Sequence, residues 1–248
     1  MSAKIRLDQA LVARGLCESR EQAKRLILAG QVTVEGVGNP KPGLSIDEDR
    51  EIRVKEMPKY VGRGGLKLEG ALDAFGIDPA GMVGLDIGAS TGGFTDCLLQ
   101  RGAAKVFAYD VGTNQLAWKL RSDPRVISRE GFNVRHMVPD DVGEAVDVIV
   151  IDVSFISLTK ILPAAFSVLK PGGDLVCLIK PQFELRREQI GKGGIVREPA
   201  LRDEAVARIR NFVTDELAKD WRGLVESPIS GTDGNVEFLA WLRHPESD

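Results

Sequence analysis

Asp86-Ile87-Gly88-Ala89-Ser90-Thr91-Gly92-Gly93-Phe94 is the stretch that decides the fold. Val83, Leu85 and Ile87 lead into it as a buried strand. The glycines allow a tight turn that brings backbone close to a ligand, and Phe94, Cys97, Leu98 and Leu99 give the next segment the apolar face of a helix. Strand, glycine-rich turn and helix in this order are where an α/β protein receives a nucleotide-like ligand. A second strand, Val106 to Tyr109, runs into Asp110, a carboxylate able to accept hydrogen bonds from both hydroxyls of a ribose.

The spacing Gly-x-x-x-Gly-Gly is not the Gly-x-Gly-x-x-Gly of dinucleotide folds, and no Gly-Lys-Ser/Thr ends it as in a phosphate loop. Asp86 would repel a pyrophosphate laid against the turn but would attract an ammonium. S-adenosylmethionine combines an amino-acid ammonium with a ribose, and is the expected cofactor. Its methionine part is assigned to Asp86, Gly88, Ser90, Gly92, Gly93 and Phe94, its ribose to Asp110, and its adenine to Val111 and Asn133. A ligand-free β-to-α turn accounts for the glycines but not for two carboxylates at successive strand ends. Asn133 also reads as an ordinary polar loop residue.

Outward from this turn, strand patterns recur at Val126 to Ile127, Val146 to Ile151, Leu175 to Ile179, Leu224 to Pro228 and Phe238 to Leu242, with helical segments between most of them. The expected fold is α/β: a Rossmann-like, doubly wound, seven-stranded methyltransferase sheet whose last two strands form an antiparallel hairpin. A charged connector from Lys55 to Arg63 sets the expected boundary, giving domains 1–59 and 60–248. The 248 residues, 43% hydrophobic and 28% charged, suffice for one large core and one small one. The segment with the strongest apolar character, Val146 to Ile151, is too short to span a bilayer, and the N-terminus starts with Lys4, Arg6 and Asp8 rather than an apolar signal core. A cytoplasmic protein without a membrane partner is expected. Cys17, Cys97 and Cys177 sit among apolar neighbours and read as reduced core thiols. With only His136 and His244, a zinc site or a histidine-based triad has no ligand set, so chemistry falls to carboxylates and lysines.

The first 60 residues form a small α+β unit. Leu7, Ala10 and Leu11 make a short helix stopped near Gly15; Ser19 caps a second, with Ala23, Leu26 and Ile27 on its apolar face, ended by Gly30. Short strands at Val32 and Val34 and at Ile52 and Val54 follow, separated by a Gly- and Pro-rich turn from Gly36 to Gly43. Six basic residues against three acidic ones in the first 34, with Arg6, Arg14, Arg20, Lys24 and Arg25 on or beside the helices, make a modest basic face. It suits phosphate contacts or, equally, a solvated helix surface. Through Arg6-Leu7-Asp8, Gly15-Leu16, Ser19-Arg20, Leu26-Ile27, Gly30-Gln31-Val32 and Lys41-Pro42 the segment resembles the α-L RNA-binding module of a small-subunit ribosomal protein, pseudouridine synthases and tyrosyl-tRNA synthetases, which implies binding to structured RNA.

Asp152 follows the apolar run Val146 to Ile151, and Lys180 follows Leu175 to Ile179, so both lie at carboxyl ends of central strands, where open sheets hold ligands. Lys67, after Arg63-Gly64-Gly65, and Glu237, after Gly234-Asn235-Val236, are further candidates. Taken singly, each reads as readily as an ion pair at the sheet rim. Lys192, among Gly191, Gly193 and Gly194, suits phosphate contact or a plain surface turn. Together with Asp152-Val153-Ser154-Phe155-Ile156-Ser157-Leu158 and Lys180-Pro181-Gln182-Phe183-Glu184, these motifs resemble the TlyA-type, or hemolysin-A-like, RNA methyltransferases over residues 4 to about 242, with a catalytic domain similar to the FtsJ-type ribose 2′-O-methyltransferases.

The resemblance implies a Lys-Asp-Lys-Glu tetrad at Lys67, Asp152, Lys180 and Glu237, RNA contacts that include Arg63 and Lys192, and methylation of a cytidine ribose in ribosomal RNA, within ribosomal subunits. Removing a proton from a ribose hydroxyl requires a neutral amine, and an unperturbed lysine has a pKa of about 10.4. Burial and a second ammonium favour the neutral form, whereas carboxylates oppose it but orient the amine. Lys180 is the expected base, Asp152 its orienter, and Lys67 and Glu237 position the ribose. A non-catalytic ribosome-assembly factor and a membrane-lysing protein are the competing readings; no strong basic amphipathic helix supports the latter.

Overall fold

The computed structural model describes residues 4–17, 19–55, 58–231 and 233–246. It divides into two compact units, Met1–Pro58 and Lys59–Asp248. Glu56 and Met57 of the connector, and Thr232 of the turn before the last strand, lie outside the described residues.

The first unit runs β1 (Lys4–Arg6), α1 (Leu7–Ala13), α2 (Arg20–Leu28), β2 (Val32–Val34), β3 (Ser45–Asp47) and β4 (Ile52–Val54). Ser19 caps α2 by accepting from the Gln22 N–H at 3.2 Å. Leu7, Leu11, Ala23, Ile27, Val32, Val34, Ile46 and Ile52 form its core. Two antiparallel pairs complete it, β2 with β4 and β1 with β3. The β1–β3 pair is not evident from the sequence, because three-residue strands with one inward side chain each carry almost no periodic signal. Cys17 is only half-buried, at the edge of this core, and so departs from the expected core thiol; Cys97 and Cys177 are buried.

The second unit runs α3 (Gly64–Phe75), β5 (Val83–Ile87), α4 (Gly93–Gln100), β6 (Lys105–Tyr109), α5 (Trp118–Arg121), β7 (Val126–Arg129), α6 (Pro139–Val142), β8 (Val146–Ile151), α7 (Leu162–Val168), β9 (Leu169–Ile179), α8 (Pro181–Glu184), α9 (Pro199–Asn211), β10 (Asp220–Glu226) and β11 (Phe238–Arg243). The seven strands are ordered β10-β11-β9-β8-β5-β6-β7. The five from β9 to β7 are parallel, and β11 is antiparallel to both of its neighbours.

Central strands are mainly apolar because both faces are covered. Ile149 and Ile151 face one core, with Leu162 and Phe166 of α7 and Ile209 of α9; Val148 and Val150 face the other, with Leu68 and Leu72 of α3 and Leu98 of α4. Each such side chain contributes about 1.5–3 kcal/mol on burial. Two strands begin earlier than their hydrophobic patterns suggest. β9 starts at Leu169 and carries its irregularity across Pro171-Gly172-Gly173, where pairing with β8 slips. β10 spans Asp220 to Glu226, bulged between Trp221 and Gly223, and stops short of Pro228.

Candidate active site

Register places the polar residues. Ile87 pairs with Ile151 across β5 and β8, so Gly88 and Asp152 leave the sheet side by side, and the Asp152 N–H donates to the Ile87 carbonyl at 2.9 Å. Lys180 follows β9 one strand over. Phe238 pairs with Ile179, so Glu237, preceding an antiparallel strand, reaches the same edge as the ends of the parallel ones. Lys67 comes from the first turns of α3 and ion-pairs with Glu237, both side chains being buried. Lys180 Nζ lies 2.6 Å from Asp152 Oδ1, misaligned for a hydrogen bond, and donates to Ser154 Oγ at 2.9 Å.

These four charged residues line a cavity of about 330 Å³, together with Arg63, Gly64, Thr91, Phe94, Ser154 and Ser230. A second cavity, of about 450 Å³, is bounded by Asp110, Val111, Asn133, Val134, Phe155 and Ile156. The two share Gly88, Ser90, Asp152 and Ser154 as a common wall. Gly88 is required there: its φ is +87°, and a Cβ would strike the Asp152 carbonyl oxygen. Asp110 accepts from the Ser90 N–H at 2.7 Å and the Gly112 N–H at 2.6 Å, which fixes its carboxylate at the wall of the second cavity with lone pairs to spare.

Several expected residues stand elsewhere. Asp86 lines neither cavity: it is fully buried beneath the turn, with Oδ2 accepting from the Thr95 N–H at 2.9 Å and hydroxyl at 2.6 Å. Its Oδ1 has no hydrogen-bond partner among the described residues, and burial, reinforced by the nearby Asp152 and Asp110 charges, pushes its carboxyl up to about 7 against the opposing Thr95 hydrogen bonds. Gly92 also lines neither cavity; a Cβ there would strike Leu120, so it serves the packing of α4 on α5. Val111 is largely exposed at the cavity rim, and Asn133 accepts from the Arg135 N–H at 3.1 Å. Lys192 is exposed and outside both cavities.

In the first unit, Arg6 and Arg20 both ion-pair with the buried Asp8, whose carboxyl is held down to about 2 chiefly by the Arg6 hydrogen bond. Arg14 donates to the carbonyls of Arg50 and Glu48, Lys24 pairs with Glu21 at 2.8 Å, and Arg25 is exposed. The basic face is thus largely engaged within its own unit. Arg63 donates to the Ser230 carbonyl at 2.9 Å at the mouth of the first cavity. Ser154, which touches Lys180 and both cavities, was not singled out by sequence reasoning, and the available signal was its place two residues beyond a strand-end carboxylate.

A doubly wound sheet with a carboxylate after its second parallel strand, at the wall of a partly apolar cavity that adjoins a charged one, is the arrangement of an S-adenosylmethionine-dependent methyltransferase. The residues fit that cofactor: Asp110 faces the pocket, and Val134, Phe155 and Ile156 offer apolar walls for a purine.

The FtsJ-like methyltransferase model matches residues 60–244 and the S4 domain model residues 5–37. The 16S/23S rRNA (cytidine-2′-O)-methyltransferase TlyA of Mycobacterium tuberculosis is 46% identical over 98% of this chain and 91% of its own. Hemolysin A of Brachyspira hyodysenteriae is 46% identical over 95% of this chain and 98% of its own. The solved structure of a provisionally named hemolysin from Streptococcus thermophilus superposes with a TM-score of 0.74 at 48% identity, covering 100% of this chain and 90% of that one. The chain belongs to the FtsJ-like methyltransferase family, in the branch that contains TlyA and hemolysin A.

Proposed function

We propose that this enzyme transfers a methyl group to the 2′-hydroxyl of a cytidine ribose in ribosomal RNA. The observation that carries the reading is the meeting of two cavities at Gly88, Ser90, Asp152 and Ser154, one suited to a nucleoside cofactor and the other lined by Lys67, Asp152, Lys180 and Glu237. S-adenosylmethionine, when bound, supplies a methyl group already activated by its sulfonium. Lys180 would take the proton of the ribose hydroxyl as its oxygen accepts the methyl group from the cofactor, which would leave as the thioether. Asp152 and Ser154 orient the amine, and the buried Lys67–Glu237 pair positions the ribose. Much of the acceleration comes from alignment of oxygen, carbon and sulfur.

Ribosomal RNA as the acceptor is supported by the S4 domain match and by the activity named for the Mycobacterium tuberculosis relative. Arg6, Arg14, Arg20, Lys24 and Arg25 of the first unit, with Arg63 and Lys192 of the second, are the proposed phosphate contacts.

Unmodified small and large ribosomal subunits incubated with methyl-labelled S-adenosylmethionine, then digested for nucleoside mass spectrometry, test this directly. Label is expected in 2′-O-methylcytidine. Label on a base would overturn the ribose assignment, and no label in either subunit despite measurable cofactor binding would favour a non-catalytic assembly factor.

A further inference from the structure

We propose that Glu184 is a positioning residue for methyl transfer, holding the loop that carries Asp152 and Ser154 against the helix that begins beside Lys180. The proposal rests on the ribose-methylation reading above. Glu184 closes α8, the four-residue helix that starts immediately after Lys180, and the Phe183 N–H donates back to the Lys180 carbonyl at 2.9 Å. Its position is therefore coupled to that of the lysine within a single turn.

The Glu184 side chain is 2% exposed and directed at the neighbouring loop. It accepts from the Ser157 hydroxyl at 2.5 Å and from the Leu158 N–H at 2.9 Å. Its backbone carbonyl accepts in turn from Arg208 of α9, which ties α8 to the outer helix layer. Burial pushes the Glu184 carboxyl up, against the pull of the Ser157 and Leu158 hydrogen bonds. An apolar side chain would fill the same space without burying an ionisable group. What the carboxylate adds is a grip on two donors of the 152–158 loop.

That loop needs a grip. Phe155 has φ of +63°, a left-handed conformation that a bulky side chain adopts only where surrounding contacts over-determine it. Its ring packs 5.1 Å from that of Phe183, so α8 holds the loop at two points, through Phe183 and Glu184. Between Asp152 and these anchors lies Ser154, whose hydroxyl accepts from Lys180 Nζ. Release of the loop displaces Asp152 and Ser154 relative to the amine they orient, and with them Phe155 and Ile156 on one wall of the second cavity, while Gly88, Ser90 and Asp110 keep the opposite side.

Steady-state methylation by full-length Glu184→Ala, Glu184→Gln and wild-type protein tests the proposal. In Glu184→Ala, kcat at saturating cofactor is expected to fall on the order of 10²-fold, with the KM for RNA changing less than about fivefold and the Kd for S-adenosylmethionine rising by no more than about tenfold, because Phe155 and Ile156 share the released loop. Glutamine can still accept from the Leu158 N–H and donate to the Ser157 hydroxyl, so Glu184→Gln is expected to recover kcat to within about tenfold of wild type. A folded Glu184→Ala protein with wild-type kcat overturns the proposal, as does a Gln variant no better than Ala, which would point to charge instead of position. Should Glu184→Ala fail to fold, Ser157→Ala leaves the Leu158 contact to Glu184 while removing the Ser157 hydroxyl and its bonds to Glu184 and Thr159, and its kcat at saturating cofactor is expected to fall about tenfold; wild-type kcat there overturns the proposal equally. Absence of ribose methylation by the wild-type protein overturns the underlying reading, an outcome distinct from all of these.

Discussion

Asp86 and Asp110 close successive strands of one sheet, and depth alone separates what they do. Asp110 stands at the cavity wall, whereas Asp86 is sealed beneath the turn with its carboxyl raised to about 7. A folded-state value above that of the unfolded chain means the native protein binds the extra proton between about pH 4 and pH 7, so stability falls as pH rises through that window, by on the order of a few kcal/mol. Asp86→Asn keeps an acceptor for Thr95 and removes the titration. The difference in melting temperature between variant and wild type should widen in the variant's favour from pH 4.5 to 7.5, and superimposable profiles would exclude Asp86 as the source. Lys180 gives a separate prediction. Lys180→Ala should lower methyl transfer by on the order of 10³-fold while cofactor affinity, read by calorimetry, stays near wild type, because Lys180 lines only the acceptor cavity. Near-normal turnover would remove Lys180 from the role of base.

Helix α3 shows how an element can obey tertiary packing against its own propensity. Gly65 lies in its first turn, where replacing glycine by alanine would ordinarily stabilise by up to about 1 kcal/mol. Here a Cβ would enter the ring of Tyr60, which is itself 4% exposed. Overpacking costs typically 1–3 kcal/mol and outweighs the propensity gain, so Gly65→Ala is expected to lower the melting temperature by roughly 2–4 °C, measurable by scanning calorimetry. The same contrast explains what the sequence discloses. Asp152 and Lys180 stand out because each charge ends an uninterrupted apolar run, four residues before Asp152 and five before Lys180, a local signal that fixes the sheet edge. Glu237 depends on β11 being antiparallel, and the Gly231–Gly234 turn suggests that reversal. Ser154 and Glu184 carry no such mark, since their proximity to the site comes from a loop folded back on α8. The β1–β3 pair and the early start of β9 are hidden for the same kind of reason: three-residue strands and a Pro-Gly-Gly interruption leave no period to read.

At the level of the whole molecule, each unit carries its own apolar core. Among the described residues, the cores of the second unit draw on none before Tyr60, and that of the first on none after Val54. Where a truncation begins therefore matters. Starting at Lys59 retains Tyr60 in the core and the Val61 N–H on the buried Asp96 carboxylate at 2.9 Å, whereas starting beyond Val61 leaves that carboxylate with Lys119 as its remaining partner. A 59–248 fragment is expected to fold and to bind S-adenosylmethionine with a Kd within about threefold of the full chain, since Gly88, Ser90, Asp110 and Asn133 all lie within it. Its affinity for ribosomal RNA should fall, and the dependence of the binding constant on salt should become shallower as the phosphate contacts of the first unit are lost. Calorimetry with the cofactor and filter binding across a salt series measure both. An unchanged salt slope would place RNA recognition wholly in the methyltransferase unit and relieve the S4-matching segment of its proposed role.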